Sequence, residues 1–395
     1  MSAGPPSLAQ ATTRALRRPS LEEREAILRL PVSEASFARA LAEQADLFDR
    51  LEVAPPPRAG EAPLEGPARI AFWNAERGKY LDASAKLLRG LDAAAYLLCE
   101  LDLGMARSGQ AHTARELAER LDAGYAFGIE FLELGLGDAF ERSWRAGEVN
   151  EAGLHGAAIL SAFPLERPAL VRLESHGRWF DGANGERRVG GRIALLATLR
   201  IAGRPVTLVD VHFESHSDPP GRAAQMERLL DAIDAYADGQ PTLIGGDFNT
   251  STSSRGWARG SGKKPVLPEE RLLDPVPFEP LFEVAASRGY DWRACNTPGV
   301  PTQRTRPDGT PPPPRLVFFP RSPGRRAADR SGGRRGWRRD LRPRGSARDR
   351  SPGLRFPRGR RRLLRQQTVW SGASRNLGRR PSCESIERSI RVDVA

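Results

Sequence analysis

A layered α/β fold is what the sequence predicts, and three observations carry the prediction. Short apolar runs recur from Ala68 onward, at Arg69–Trp73, Ala95–Cys99, Ala157–Leu160, Ile193–Leu199, Val206–Phe213 and Thr242–Gly245. Each is bounded by Gly, Pro or polar residues and has the length of a buried strand. Amphipathic helical patterns lie between some of them, at Ala83–Leu91, His112–Leu121 and Arg222–Ala237. Other neighbouring strand patterns have no helix between them, which argues for sheets covered by helices rather than a simple alternating barrel.

Composition bounds the answer. The 395 residues are 39% hydrophobic and 28% charged, enough for one large or two ordinary cores. Collagen-like, wholly disordered and membrane-embedded classes are excluded. No run of about 18 uncharged apolar residues occurs, so no bilayer-spanning segment is expected. The N-terminus shows no charged stretch followed by an apolar one, and Cys99, Cys295 and Cys383 share no metal or redox spacing. A cytoplasmic protein without a disulfide framework or zinc site is the expectation.

Three segments are read along the chain. Residues 1–66 form a helical extension and linker. Ser20 with Glu23 reads as a capping box opening a helix over Leu21–Leu30, and Ser33 opens a second amphipathic stretch through Phe37, Leu41, Leu47 and Leu51. Ala54–Pro67, rich in Pro and Gly, reads as a linker to the domain it packs on. Residues 67–314 carry the α/β pattern. Residues 315–395 lose all apolar periodicity and are dominated by Arg, Gly, Pro and Ser, the composition of a disordered tail.

The net charge of +12 invites a nucleic-acid reading until it is located. The tail holds 24 Arg, no Lys and six acidic residues, a net of +18, so residues 1–314 carry −6. The mildly acidic body argues for no polyanionic partner.

The residues that carry chemistry sit at strand ends. Leu243-Ile244-Gly245-Gly246-Asp247-Phe248-Asn249 is an apolar strand ending in two glycines, which delivers a carboxylate and a carboxamide two residues apart toward one side. A carboxylate there ligates a hard cation or takes a proton from water, and an amide donates to a phosphoryl oxygen. Alone, the motif reads equally as a capped turn. His212 stands near the end of Val206–Phe213, Glu100 ends Tyr96-Leu97-Leu98-Cys99-Glu100, and Asn74 ends Ile70-Ala71-Phe72-Trp73-Asn74. Each has a bland reading as a strand terminus, and the four together do not.

Phe72-Trp73-Asn74, Leu98-Cys99-Glu100, Gly156–Ser161, Val211-His212-Phe213 and Gly245–Asn249, in this order and spacing, resemble the endonuclease/exonuclease/phosphatase superfamily. The likeness covers about residues 68–314. It implies a four-layer α/β sandwich, two mainly antiparallel sheets packed face to face between helices. It also implies hydrolysis of a phosphoester substrate with Mg²⁺, or Mn²⁺, as cofactor, and no stable protein partner. By motif position Glu100 is the principal metal ligand with Asn74 beside it, and Asp247 the base or orienter of the attacking water. Asn249 is then a donor to the pentavalent phosphorus, and His212 a phosphate-contacting acid or donor. Arg222 and Gln225 resemble the start of the family's following helix, a position that a solvated helix start explains as well. Glu214, Thr302 and Arg304 lie near these elements. Glycine-rich, charged segments at 135–153 and 176–191 are candidate specificity loops, with Arg187, Arg188 and Arg192 in or beside the second as candidate phosphate clamps.

The pattern then breaks. The resemblance calls for a closing strand with an Asp followed by aromatics, and later a Ser-Asp-His. Neither is present, and no His follows Cys295. Pro311–Pro314 implies a cytosine run, where a base is easily gained or lost. Read one base later, the codons of Pro313–Ser322 can encode Arg-Leu-Asp-Trp-Phe-Phe-Ser-Arg-Gly-Leu, and those of Asp340–Arg344 can encode Ile-Ser-Asp-His-Glu. Both missing motifs reappear in order, so the tail is read as out-of-frame translation. Loss of the closing strand is expected to leave an interior strand of one sheet unpaired, a place that the apolar run Leu316–Phe319 could patch in part.

Two readings of function follow. One is a metal-dependent phosphodiesterase, nuclease or phosphatase, impaired as encoded. The other is a catalytically dead hydrolase fold whose Arg-rich arm binds nucleic acid nonspecifically.

Overall fold

Two β-sheets pack face to face in the computed structural model, which describes residues 7–58, 63–65, 67–174, 176–182, 185–237, 239–250, 268–299, 316–321 and 388–392. The described strands are β1 (Leu8–Ala9), β2 (Ala11–Thr13), β3 (Arg50–Ala54), β4 (Ala68–Arg77), β5 (Ala95–Leu103), β6 (Gly124–Glu133) and β7 (Leu154–Ser161). They continue as β8 (Leu165–Arg172), β9 (Arg188–Gly190), β10 (Ile193–Ile201), β11 (Arg204–His212), β12 (Thr242–Asp247), β13 (Leu316–Arg321) and β14 (Arg388–Val392). The helices are α1 (Leu21–Leu28), α2 (Glu34–Glu43), α3 (Ala45–Phe48), α4 (Leu81–Arg89), α5 (Thr113–Arg120), α6 (Ala139–Trp144), α7 (Pro219–Ala237), α8 (Pro268–Leu273) and α9 (Leu281–Ser287).

One sheet runs β1-β8-β10-β11-β12-β13, and the other β14-β4-β5-β7-β6-β3-β2 with β9 beside β6. Most neighbours are antiparallel. The parallel pairs are β4·β5, β11·β12 and β2·β3. The first two are right for the chain order, because a helix, α4 or α7, lies between the paired strands and returns the chain to the same end.

Side-chain alternation assigns the layers. Ile70, Phe72, Leu97, Cys99, Ala157 and Ile159 of one sheet meet Leu195, Ala197, Leu199, Leu208 and Leu243 of the other in the inter-sheet core. The alternate residues face outward. Trp73, Leu98, Phe127 and Leu160 pack with Phe37, Leu88 and Leu117 of the helices on one side. Leu196, Val209, Val211 and Ile244 pack with Met226, Leu229, Ile233 and Phe282 on the other. The result is helix, sheet, sheet, helix, the four-layer sandwich expected from the sequence.

Both ends of the chain depart from the sequence reading. The capping box is present, with Glu23 N donating to Ser20 Oγ at 3.1 Å and Ser20 N donating to Glu23 Oε2 at 2.6 Å. The extension is helical as expected, with α1, α2 and α3, and it also joins the sheets. β1 pairs with β8, β3 pairs antiparallel with β6, and β2 pairs with β3, so residues 8–54 supply edge strands to both sheets. Strands of two, three and five residues are too short to show an alternating pattern, and pairing alone creates them.

Within residues 315–395, read as a disordered tail apart from a patch at Leu316–Phe319, Leu316–Arg321 lies antiparallel on β12 with Leu316 opposite Asp247, and Arg388–Val392 lies antiparallel on β4. Leu316–Phe319 thus covers the edge that the missing closing strand was expected to expose. The rest of the tail, Cys383 included, and Thr302 and Arg304 of the preceding segment lie outside the described residues.

Candidate active site

Four strands from the two sheets each bring a polar side chain to one edge of the inter-sheet space. On β4, Ile70 and Phe72 point inward, so Asn74 does as well. On β11 the inward series Val206, Leu208 continues to Asp210 and His212, and on β12 Leu243 is followed in phase by Gly245 and Asp247. On β5 plain alternation would turn Glu100 outward. A bulge between Leu98 and Leu101, with Glu100 at φ +56°, re-aims it instead. Glu76 (φ +46°), Arg77 (φ +69°) and Asn249 (φ +48°) also hold left-handed backbone here. Each such non-glycine residue costs about 1–2 kcal/mol, which the surrounding packing sustains. The two glycines before Asp247 have a steric reason at Gly246, where a Cβ would stand 2.2 Å from Val211 O.

The side chains meet as the sequence suggested. Asn74 Nδ2 donates to Glu100 Oε1 at 2.9 Å and to Asp247 Oδ2 at 3.0 Å, which joins the two carboxylates through one amide. Asp247 Oδ1 accepts from Asn249 N at 2.9 Å. His212 Nε2 is 3.9 Å from Glu100 Oε1, and its Nδ1 is 3.2 Å from Glu130 Oε1. Arg77 Nη1 donates to Glu100 Oε2 at 2.6 Å. Burial by itself would raise the Glu100 carboxyl. The Arg77 guanidinium, then the His212 and His155 imidazoles and the Asn74 amide, overcome that and hold it well below the usual carboxylate range.

Two of the predicted residues sit differently from their expected roles. Asn249 Nδ2 donates to Phe213 O at 2.8 Å, so this amide ties the end of β11 to the β12 turn instead of standing free for a phosphoryl oxygen. His212 is buried, with Arg192 Nη1 2.9 Å from Nδ1 and 3.2 Å from Nε2.

The candidate phosphate clamps are corrected. Arg192 donates to Glu130 Oε2 at 2.9 Å and Glu214 Oε2 at 3.2 Å. Arg188 pairs with Glu133 and Glu186 and lies over the Trp179 ring. Arg222 makes a two-point pair with Glu279 at 2.7 and 3.0 Å. All three are buried and neutralised inside the protein. Arg187 donates to Leu28 O and Leu30 O and holds the N-terminal segment. Glu214 and Gln225 are buried as well, and Gln225 Oε1 accepts from Glu214 N at 3.0 Å.

Sequence reasoning missed Arg77, Glu130 and a second charged cluster. Arg107 is fully buried and donates to Asp102 (2.8 Å), Glu133 (2.8 Å) and Glu141 (3.2 Å), and His155 Nδ1 lies 2.8 Å from Asp102 Oδ1. Arg77 Nε, 3.0 Å from Glu141 Oε1, joins this cluster to Glu100. A sequence signal existed for Glu130, since a carboxylate inside the wholly buried run Gly124–Glu133 requires an internal partner. Asp138, Glu141 and Glu186 also place oxygens within 4.8 Å of one another. Glu141 and Glu186 already hold Arg107 and Arg188, and Asp138 caps α6.

Fold and site together define a two-sheet α/β sandwich with an amide-linked carboxylate pair at one sheet edge. No family model matches the chain, and no curated protein matches it. Among solved structures, it is similar to an endonuclease/exonuclease/phosphatase from Beutenbergia cavernae, at 19% identity over 64% of this chain with a TM-score of 0.44. The match spans 64% of that protein, just under two thirds of its length. It is also similar to an endonuclease/exonuclease/phosphatase family protein from Leptotrichia buccalis (12% identity, 65% of this chain, 88% of that chain, TM-score 0.40). A third is the human Nocturnin catalytic domain with bound sulfate (16% identity, 64% of this chain, 81% of that chain, TM-score 0.39). Among the described residues, no helix is long and apolar enough to cross a membrane.

Proposed function

We propose that this chain is an endonuclease/exonuclease/phosphatase superfamily protein built to hydrolyse a phosphoester with a divalent metal, and impaired as encoded. One observation carries the reading: strands of two different sheets deliver Asn74, Glu100, His212 and Asp247 to one edge, with the two carboxylates bonded to the same amide.

The donor set fits a hard cation. Mg²⁺ or Mn²⁺ prefers oxygen and is held by one or two carboxylates, with waters and substrate oxygens completing its shell. Glu100 would hold it, with Asn74 beside it. When bound, the ion polarises a phosphoryl oxygen and lowers the charge on the leaving group. Asp247 is the base that orients the attacking water and takes its proton, steadied by Asn74 and the Asn249 backbone. Asn249 fixes the turn that presents Asp247, and His212 backs Glu100 from beneath.

Impairment follows from the absent terminal Asp and Asp-His, since loss of pre-placed charge costs orders of magnitude in phosphoryl transfer. Sequencing codons 308–346 on both strands, then assaying the restored-frame and present-frame chains on bis(4-nitrophenyl) phosphate with and without Mn²⁺, tests the proposal. The restored frame is expected to give metal-dependent turnover at least about 100-fold above that of the present frame. Full activity in the present-frame chain, or turnover indifferent to chelation, refutes it.

The 24 arginines of the tail favour a second reading, an arm that holds nucleic acid nonspecifically. Removal of residues 322–395 then abolishes oligonucleotide binding, and unchanged binding excludes the arm.

A further inference from the structure

We infer that Arg77 is the resident cation of the site: it holds Glu100 until a divalent ion binds, yields that carboxylate to the ion, and then presents its guanidinium to the substrate phosphate. The inference rests on the metal-dependent reading above.

Among the described residues, the other guanidinium groups near the site are committed. The side chains of Arg107, Arg188 and Arg192 are 0%, 6% and 5% exposed, each between two or three carboxylates. The Arg77 and Glu100 side chains are 20% and 17% exposed, so this ion pair opens to solvent where the others do not. Arg77 is also held less completely. Its Nη1 makes the 2.6 Å bond to Glu100, whereas its Nε, 3.0 Å from Glu141 Oε1, is buried without the alignment of a hydrogen bond.

The backbone places it deliberately. Between Asn74 and Arg77 the register of β4 on β5 slips, and Glu76 and Arg77 are consecutive non-glycine residues with positive φ. That bulge brings Arg77 beside Glu100, the residue that follows Asn74's partner Cys99. Electrostatics then force a choice. A divalent ion on Glu100 and a guanidinium on the same carboxylate repel each other at contact distance in a partly desolvated site. Release of Arg77 strands no charge, because Glu141 keeps Arg107 at 3.2 Å and Lys79 at 3.9 Å. The freed planar fork matches two oxygens of a phosphate better than it matches any other group there.

Calorimetric titration of Mn²⁺, and of inorganic phosphate at saturating Mn²⁺, into the full chain and its Arg77→Gln variant tests this. Arg77→Gln is expected to bind Mn²⁺ about tenfold more tightly or better, and to bind phosphate at least about fivefold more weakly. Unchanged or weaker Mn²⁺ binding overturns the inference and leaves the metal reading standing. Absence of Mn²⁺ binding in both chains overturns both. If Arg77→Gln does not fold, Arg77→Lys takes its place, since a shorter point charge cannot reach Glu100 and Glu141 together. A gain in Mn²⁺ affinity is again expected, and affinity equal to the parent overturns the inference.

Discussion

Replacing Glu52 by Gln isolates one buried carboxylate that fastens the N-terminal strands to the sandwich. Glu52 on β3 is buried and accepts four donors: Leu16 N (2.8 Å), His112 Nε2 (2.9 Å), Arg115 Nη2 (2.7 Å) and Tyr125 OH (2.6 Å). Burial would raise its carboxyl. The His112 imidazole, then Tyr125 and the Leu16 amide, bring it down from 4.5 to about 2. A depressed carboxyl stabilises the fold at pH values above its unfolded value, and that contribution is lost as pH falls through about 4.5 toward 2. The shift corresponds to about 3 kcal/mol at pH 7 and about 1.4 kcal/mol at pH 3. Urea unfolding of the parent and Glu52→Gln at both pH values measures the difference. The variant is expected to be about 3 kcal/mol weaker at pH 7, with the deficit roughly halved at pH 3. An equal deficit at both would show that shape rather than charge is lost, and would refute the reasoning.

Arg107→Met leaves Asp102, Glu133 and Glu141 facing one another without their shared cation, and is expected to cost about 3–5 kcal/mol, read as a lower urea midpoint. Asp210 is the opposite case: both its oxygens are buried without a hydrogen-bond partner, and burial together with Glu130 holds its carboxyl well above the usual range. Such a group costs stability as pH rises above its unfolded value, so Asp210→Val is expected to gain about 1–2 kcal/mol at pH 8 and less at pH 4, measured by thermal unfolding. Gly246→Ala drives a methyl into Val211 O and is expected to lose about 1–3 kcal/mol and to disturb Asp247. Unchanged melting and metal affinity in that variant would show that the β11–β12 contact has room to give.

The sequence by itself determined the strand ends. Alternation along Ile70–Asn74, Val206–His212 and Leu243–Asp247 places a polar side chain on the inward face at the last position of each strand, and short-range stereochemistry is enough for that. The Ser20–Glu23 cap was legible for the same reason, because its partners are three residues apart. The tertiary structure alone decided which arginine faces what. Arg188, Arg192 and Arg222 sit in charged, glycine-rich stretches that look equally suited to a phosphate. Apart from Glu186, two residues before Arg188, their carboxylate partners Glu133, Glu130, Glu214 and Glu279 come from other strands and loops, 22 to 62 residues away where hydrogen bonds are made. Arg77 was hidden differently, because only a one-residue slip of β4 on β5 turns it to Glu100. A buried charge is settled by whichever opposite charge the packing brings within reach, and packing at that range is written across the sheets, not along the chain.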